Sequence, residues 1–167
     1  MGPVTATIPI DTPRQAAFDF VADLANRPSF MGRFLADFRL QRLVSSGVGA
    51  AARFRVRRRD LWMETVISDV QAPYRIIEDG SGSRLGRMPI HTAWELTEDG
   101  RGCEVKVVHW TEPSHVQDRI GELAPGMRAW YGRALEGALM QLKTILEDGV
   151  VPDRAGVGGG DRVPGAG

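Results

Sequence analysis

Residues 88–111, MPIHTAWELTEDGRGCEVKVVHWT, decide the fold of this chain. From Met88 to Leu96 the pattern repeats every second residue, and Ile90, Thr92, Trp94 and Leu96 share one face. From Cys103 to Thr111, Val105 and Val107 do the same, and His109 falls on their side. Period two marks an extended strand with one buried face, because successive side chains point to opposite sides of a pleated sheet. Between the two runs stands Glu98-Asp99-Gly100-Arg101-Gly102, whose Asp-Gly step favours a tight hairpin. Two antiparallel strands with a common apolar face are predicted, and that face needs a cover.

The same texture extends upstream. Tyr74–Glu78 and Leu61–Val70 read as strands, the latter ended by Ala72-Pro73, and Gly80-Ser81-Gly82 reads as a turn. In AARFRVRRR, residues 51–59, Phe54 and Val56 face one way while Arg53, Arg55 and Arg57 face the other. A short Arg59-Asp60 turn puts Met63, Thr65 and Ile67 inside; one more residue in the turn reverses them, so the facing of Trp62 and Glu64 stays open. Phe38, Leu40 and Val44 alternate through a further strand before a Gly47-Val48-Gly49 turn. At the start, VTATIPI (residues 4–10) is a half-buried strand, followed by Asp11-Thr12-Pro13 as a helix start. That helix runs from Pro13 to about Leu24. Asn26-Arg27-Pro28 breaks it, and a short second helix follows at about Ser29–Phe34.

Downstream the period changes to that of a helix. Met127, Tyr131, Leu135, Ala138, Leu139, Leu142, Ile145 and Leu146 form one apolar stripe between Met127 and Leu146. Ser114 is a fair cap for a longer helix that Pro125-Gly126 kinks or splits. The fold class is therefore α+β: a seven-stranded antiparallel sheet curved around a long C-terminal helix, with two short helices after the first strand. One domain spans residues 1–148, and the Gly/Pro-rich stretch 149–167 is expected to be a disordered tail.

Composition narrows the function classes. The chain has 167 residues, 43% of them hydrophobic, and no apolar run near the ~18 residues of a spanning helix. Its N-terminal stretch has no basic segment followed by an apolar core, so no secretory signal is expected. The single cysteine, Cys103, excludes an intrachain disulfide and suits a cytoplasmic setting. Basic and acidic residues number 21 each, which gives no steer toward nucleic acid. Seven arginines and no acid lie between Arg39 and Arg59, a local basic patch in a neutral protein.

The opening I-P-I-D-T-P, the Gly47-Val48-Gly49 turn, Ile67-Ser68-Asp69-Val70-Gln71-Ala72-Pro73, Trp94-Glu95-Leu96 with Asp99-Gly100-Arg101-Gly102-Cys103, and the terminal Leu142-Lys143-Thr144-Ile145-Leu146-Glu147 together resemble the START-like superfamily called SRPBCC. This is the helix-grip fold shared with the birch-pollen allergens, and the chain looks most like its polyketide cyclase/dehydrase and lipid-transport branch over residues 4–148. The resemblance implies a cavity between sheet and helix for a hydrophobic small molecule. The activities it implies are carriage or sensing of a lipid-, polyketide- or aromatic-like ligand, cyclase or dehydratase chemistry, and accessory work at a membrane or quinone system. No catalytic signature of the family matches here, and no cofactor is expected.

Parity and stripe position nominate the cavity residues. Phe54, Val56, Trp94, Val107 and Met127 are expected to border it, with small Ala134 and Ala138 leaving room. His109 reads either as a satisfied packing residue or as a polar anchor and acid/base, since imidazole titrates near neutrality. Tyr131 reads either as a backbone-bonded core tyrosine or as a donor to a ligand carbonyl. His91 has the outward parity and His115 starts the helix region, so the histidines lack metal-ligand spacing and no metal is expected. Cys103 has no basic partner in view and is expected to be inert. Arg128 lies at the edge of the helical stripe, a solvated edge or an acidic-ligand partner. The loop from Gly80 to Gly86 feeds no helix and lacks the geometry of a phosphate cradle. The row Arg53, Arg55, Arg57 is an ordinary wet sheet face or a dock for an acidic carrier protein or anionic surface; nucleic acid is disfavoured because no aromatic groove accompanies it.

Overall fold

A computed structural model of the chain describes residues 1–58, 61–82, 88–112 and 126–149. The chain opens with strand β1 (Val4–Ile10), whose even-numbered residues are buried and odd-numbered ones exposed. Helix α1 (Arg14–Ala22) follows behind Pro13 and buries Ala17, Phe18, Val21 and Ala22. It ends earlier than expected because Asp23 turns extended and its carboxylate caps the Ala25 N–H at 2.9 Å, starting a single 3₁₀ turn at Leu24–Asn26. Helix α2 (Arg27–Met31) then begins two residues before the expected Ser29, with Pro28 in its first turn.

Six strands complete the sheet: β2 (Leu35–Leu40), β3 (Ala51–Val56), β4 (Leu61–Gln71), β5 (Arg75–Gly82), β6 (Met88–Asp99) and β7 (Gly102–Thr111). Each pairs antiparallel with its neighbours in the order β1-β7-β6-β5-β4-β3-β2, so the first strand closes onto the last. Helix α3 (Met127–Asp148) lies against β1 and α2 and buries the expected stripe up to Ile145, with Leu146 half-buried. Gly149, at φ +67°, ends it and donates to the Ile145 carbonyl at 3.0 Å. Thr12 Oγ1 donates to the Leu146 carbonyl at 3.2 Å, tying this helix end to the β1–α1 junction.

Two strand expectations need correction. Gly80-Ser81-Gly82 belongs to β5 and is no turn: a Cβ at Gly80 would stand 1.9 Å from the Glu64 carbonyl oxygen, so glycine permits the close pairing of β4 and β5. The Phe38–Val44 alternation also ends at Leu40, and Val44 is exposed. Asp37 adopts φ +52°, the β2–β3 register shifts between Ala36 and Arg39, and this bulge upsets the simple parity. The short-turn register of β4 is the one found: Met63, Thr65 and Ile67 are buried, and Glu64 and Trp62 face outward. The Arg59-Asp60 turn, the Ser83–Gly86 part of the glycine-rich loop, Ser114, His115, Pro125 and the tail 150–167 lie outside the described residues. Among the described residues no helix is long and apolar enough to cross a membrane.

Candidate functional site

Between the concave face of the sheet and α3 lies a cavity of about 50 Å³, room for more than one water molecule. Its apolar wall is built by Phe54 and Val56 of β3, Met63 of β4, Ile90 of β6 and Leu135 of α3. Leu24, Met31, Phe34, Leu35 and Phe38 close the side formed by the short helices and β2. Phe38 and Phe54 stack with ring centroids 6.0 Å apart.

Polar groups enter this wall along one line across the sheet. In register, Glu78 of β5 stands opposite Thr92 of β6, and Thr92 opposite His109 of β7. Neighbouring strands are ~4.8 Å apart, so the Glu78 and His109 backbones stand about 10 Å from each other. Glu78 forms a buried ion pair with Arg27 of α2. It also accepts from Trp94 Nε1 at 2.8 Å and from Thr65 Oγ1 at 3.2 Å. The Arg27 guanidinium lies 4.3 Å over the Trp94 ring. Burial pulls the Arg27 pKa down, opposed by the charge and hydrogen bond of Glu78; an arginine so paired stays protonated.

At the other end of the line, His109 Nδ1 is 3.0 Å from Thr92 Oγ1, and its ring stacks on Tyr131 at 5.3 Å. Its Nε2 is buried with no hydrogen-bond partner among the described residues. Burial, helped by the nearby His91 and the N-terminal ammonium, lowers its pKa from 6.5 to about 4, so the ring is neutral at physiological pH.

Four of the expected residues therefore meet at the cavity: Phe54, Val56, His109 and Tyr131. Trp94, Val107, Met127, Ala134 and Ala138 are not in its wall. Inward parity brings a side chain to the core, but position along the sheet decides whether it meets the void. Trp94 is fully buried behind Arg27 and Glu78, Val107 is packed in the core, and Ala138 lies a turn beyond the lining residue Leu135. Arg27, Glu78, Thr65 and Thr92 line the cavity without having been nominated by the sequence. Glu78 shares the parity of buried Ile76, and a carboxylate on an apolar face is the signal that could have found it. Arg27 sits in a helix break with no period to place it.

The arginine row faces outward. Arg53 stands 3.7 Å from Glu64 and 4.6 Å over the Trp62 ring, and Arg55 is 2.7 Å from Asp37. Arg57 Nε donates to the Gly32 and Leu35 carbonyls. Carboxylates thus interleave with the row. Arg128 donates to the Pro3 carbonyl at 2.9 Å on the surface. His91 lies on the outer face, 2.6 Å from Asp79 and stacked on Trp110. Cys103 is buried, and desolvation pushes its thiol pKa up, away from the reactive thiolate.

Similar solved structures share this fold at low identity. A protein from Thermus thermophilus superposes with a TM-score of 0.66 at 15% identity, covering 86% of this chain and 96% of its own. The major latex-like protein 151 of Panax ginseng gives 0.64 at 10% identity, covering 87% and 97%. DynU16, from the dynemicin biosynthetic locus, gives 0.60 at 15%, covering 90% of this chain and 49% of its own. A search of curated proteins returns no significant sequence match. A family profile, by contrast, matches residues 1–147, the whole of the sheet and nearly all of α3. With its helix-grip architecture, the chain belongs to the polyketide cyclase / dehydrase and lipid transport family.

Proposed function

We propose that this protein binds a hydrophobic small molecule in the cavity between the sheet and α3. The supporting observation is a mainly apolar wall crossed by a polar line that ends in His109, whose Nε2 has no partner among the described residues. Binding sites for small molecules have this composition, an apolar enclosure with a few polar groups that fix orientation. A solvatochromic naphthalene dye titrated into the protein tests the reading. Its fluorescence should rise and saturate, and Leu135→Trp, which fills the cavity from α3, should abolish the rise while circular dichroism stays that of the parent. A dye that does not bind, or that binds the filled variant equally well, overturns it.

A catalytic reading, a polyketide cyclase or dehydratase, is favoured by one observation: a neutral imidazole with a free ring nitrogen beside Tyr131 in the cavity wall. Such a ring can take a proton from a carbon between two carbonyls and return it to a departing hydroxyl, while the cavity holds the chain folded for attack. Orientation of that kind contributes several kcal/mol with few catalytic side chains. Turnover of a poly-β-keto thioester surrogate that His109→Phe abolishes, with dye binding retained, would select this reading; binding without turnover in the parent selects carriage.

A further inference from the structure

The buried ion pair at the cavity wall is unevenly served with partners. Glu78 receives donors from Arg27, Thr65 and Trp94. Arg27 has five N–H groups in a rigid fork. Among the described residues, one terminal nitrogen donates to Glu78, the other reaches only the Met31 sulfur at 3.8 Å, and Nε has no partner. Stacking on Trp94 and the Glu78 pair hold the guanidinium in place, and donor capacity is left over in a residue that lines an apolar cavity. The missing partner is an acceptor.

Charge decides which acceptor. Arg27 and Glu78 cancel each other, so a carboxylate ligand would leave a net negative charge in a dry wall, where desolvation opposes it. A ketone or ester oxygen brings lone pairs without charge. Across the sheet, His109 Nε2 is donor or acceptor according to how Thr92 sets its tautomer, and either state fits a second carbonyl or a hydroxyl. Resting on the cavity-binding reading above, we propose that Arg27 is the anchoring donor for an uncharged carbonyl oxygen on an otherwise apolar ligand. The cavity then selects ketone- or ester-bearing molecules over both hydrocarbons and carboxylates.

Three probes of matched size test this by calorimetry on the full chain at neutral pH: 1-acetonaphthone, 1-ethylnaphthalene and 1-naphthoate. The ketone should bind about tenfold more tightly than the hydrocarbon, the scale of a hydrogen bond from a charged donor, and the carboxylate weakest. Arg27→Lys keeps a cation for Glu78 but loses the fork. It should shrink the ketone's advantage over 1-ethylnaphthalene, both measured on that same variant, to about threefold or less. Should that variant fail to fold, Arg27→Met/Glu78→Leu, which removes both charges together, replaces it, and a ketone advantage that survives there overturns the role of Arg27. Equal binding of ketone and hydrocarbon, or tightest binding of the carboxylate, overturns the role of Arg27 and leaves the cavity reading standing. No binding by any of the three overturns both.

Discussion

Protonating His109 would place a charge in an apolar wall, and the native state resists it. Its pKa is about 4 when folded and near 6.5 when the chain is unfolded. Between these values the unfolded chain binds more protons, so stability falls as pH drops from about 6.5 to 4 and is insensitive to this group above that window. The full effect is on the order of 3 kcal/mol. Urea unfolding of the parent at pH values spanning the window should show this loss, and His109→Phe should remove that part of it; an unchanged slope in the variant would assign the loss elsewhere. The carboxylates of Asp79 and Glu147 are held below their usual range, so their contributions are also lost on acidification, starting at the ordinary carboxylate pKa. Glu147 reaches the acid end of the His109 window, and the comparison with His109→Phe separates them. His109 was legible because it alternates with Val105 and Val107 on a regular strand. Arg27 was not, because its burial depends on a β5 carboxylate 51 positions away that no local pattern announces.

Regular elements announced themselves and their interruptions did not. The β6–β7 hairpin and α3 follow periods of two and 3.6 without a break, and each appears where its pattern put it. The glycines of β5 look like a turn because glycine is the usual turn residue, yet here Gly80 serves a close approach between strands. Gly80→Ala is therefore expected to cost about 3 kcal/mol, since the Glu64 carbonyl it would strike is backbone and cannot swing away. Gly137 offers the opposite case: it is exposed in α3 and a Cβ there meets nothing within 4 Å. Gly137→Ala should raise stability by about 0.5–1 kcal/mol by removing backbone freedom from the unfolded chain. Chemical denaturation of the two variants side by side checks both signs, and a neutral Gly80→Ala would mean that β4 and β5 separate at little cost.

The sheet closes β1 onto β7, and α3 packs chiefly on β1 and α2, which leaves to the cavity a part of the concave face that runs from β2 to His109 of β7. That offset is why residues on one helical stripe divide into lining and core, a division set by three-dimensional placement and invisible to periodicity. It also gives α2 an outsized role, since this five-residue helix touches α3 and is pinned to the sheet by Arg27 and Glu78. A buried ion pair is weak evidence for stability, because two charges must be stripped of water before they attract. Removing one partner is different, for it strands the other. Arg27→Met should thus lower unfolding free energy by about 3–5 kcal/mol. Arg27→Met/Glu78→Leu should recover most of this, leaving a net loss of roughly 2 kcal/mol as Thr65 and Trp94 lose their acceptor. Urea midpoints for the parent and both variants measure the recovery. If the double variant is as unstable as the single, the pair is a structural tie and its upkeep requires no ligand. If it folds well yet no longer tells 1-acetonaphthone from 1-ethylnaphthalene, the charges are held in the wall for what the cavity receives.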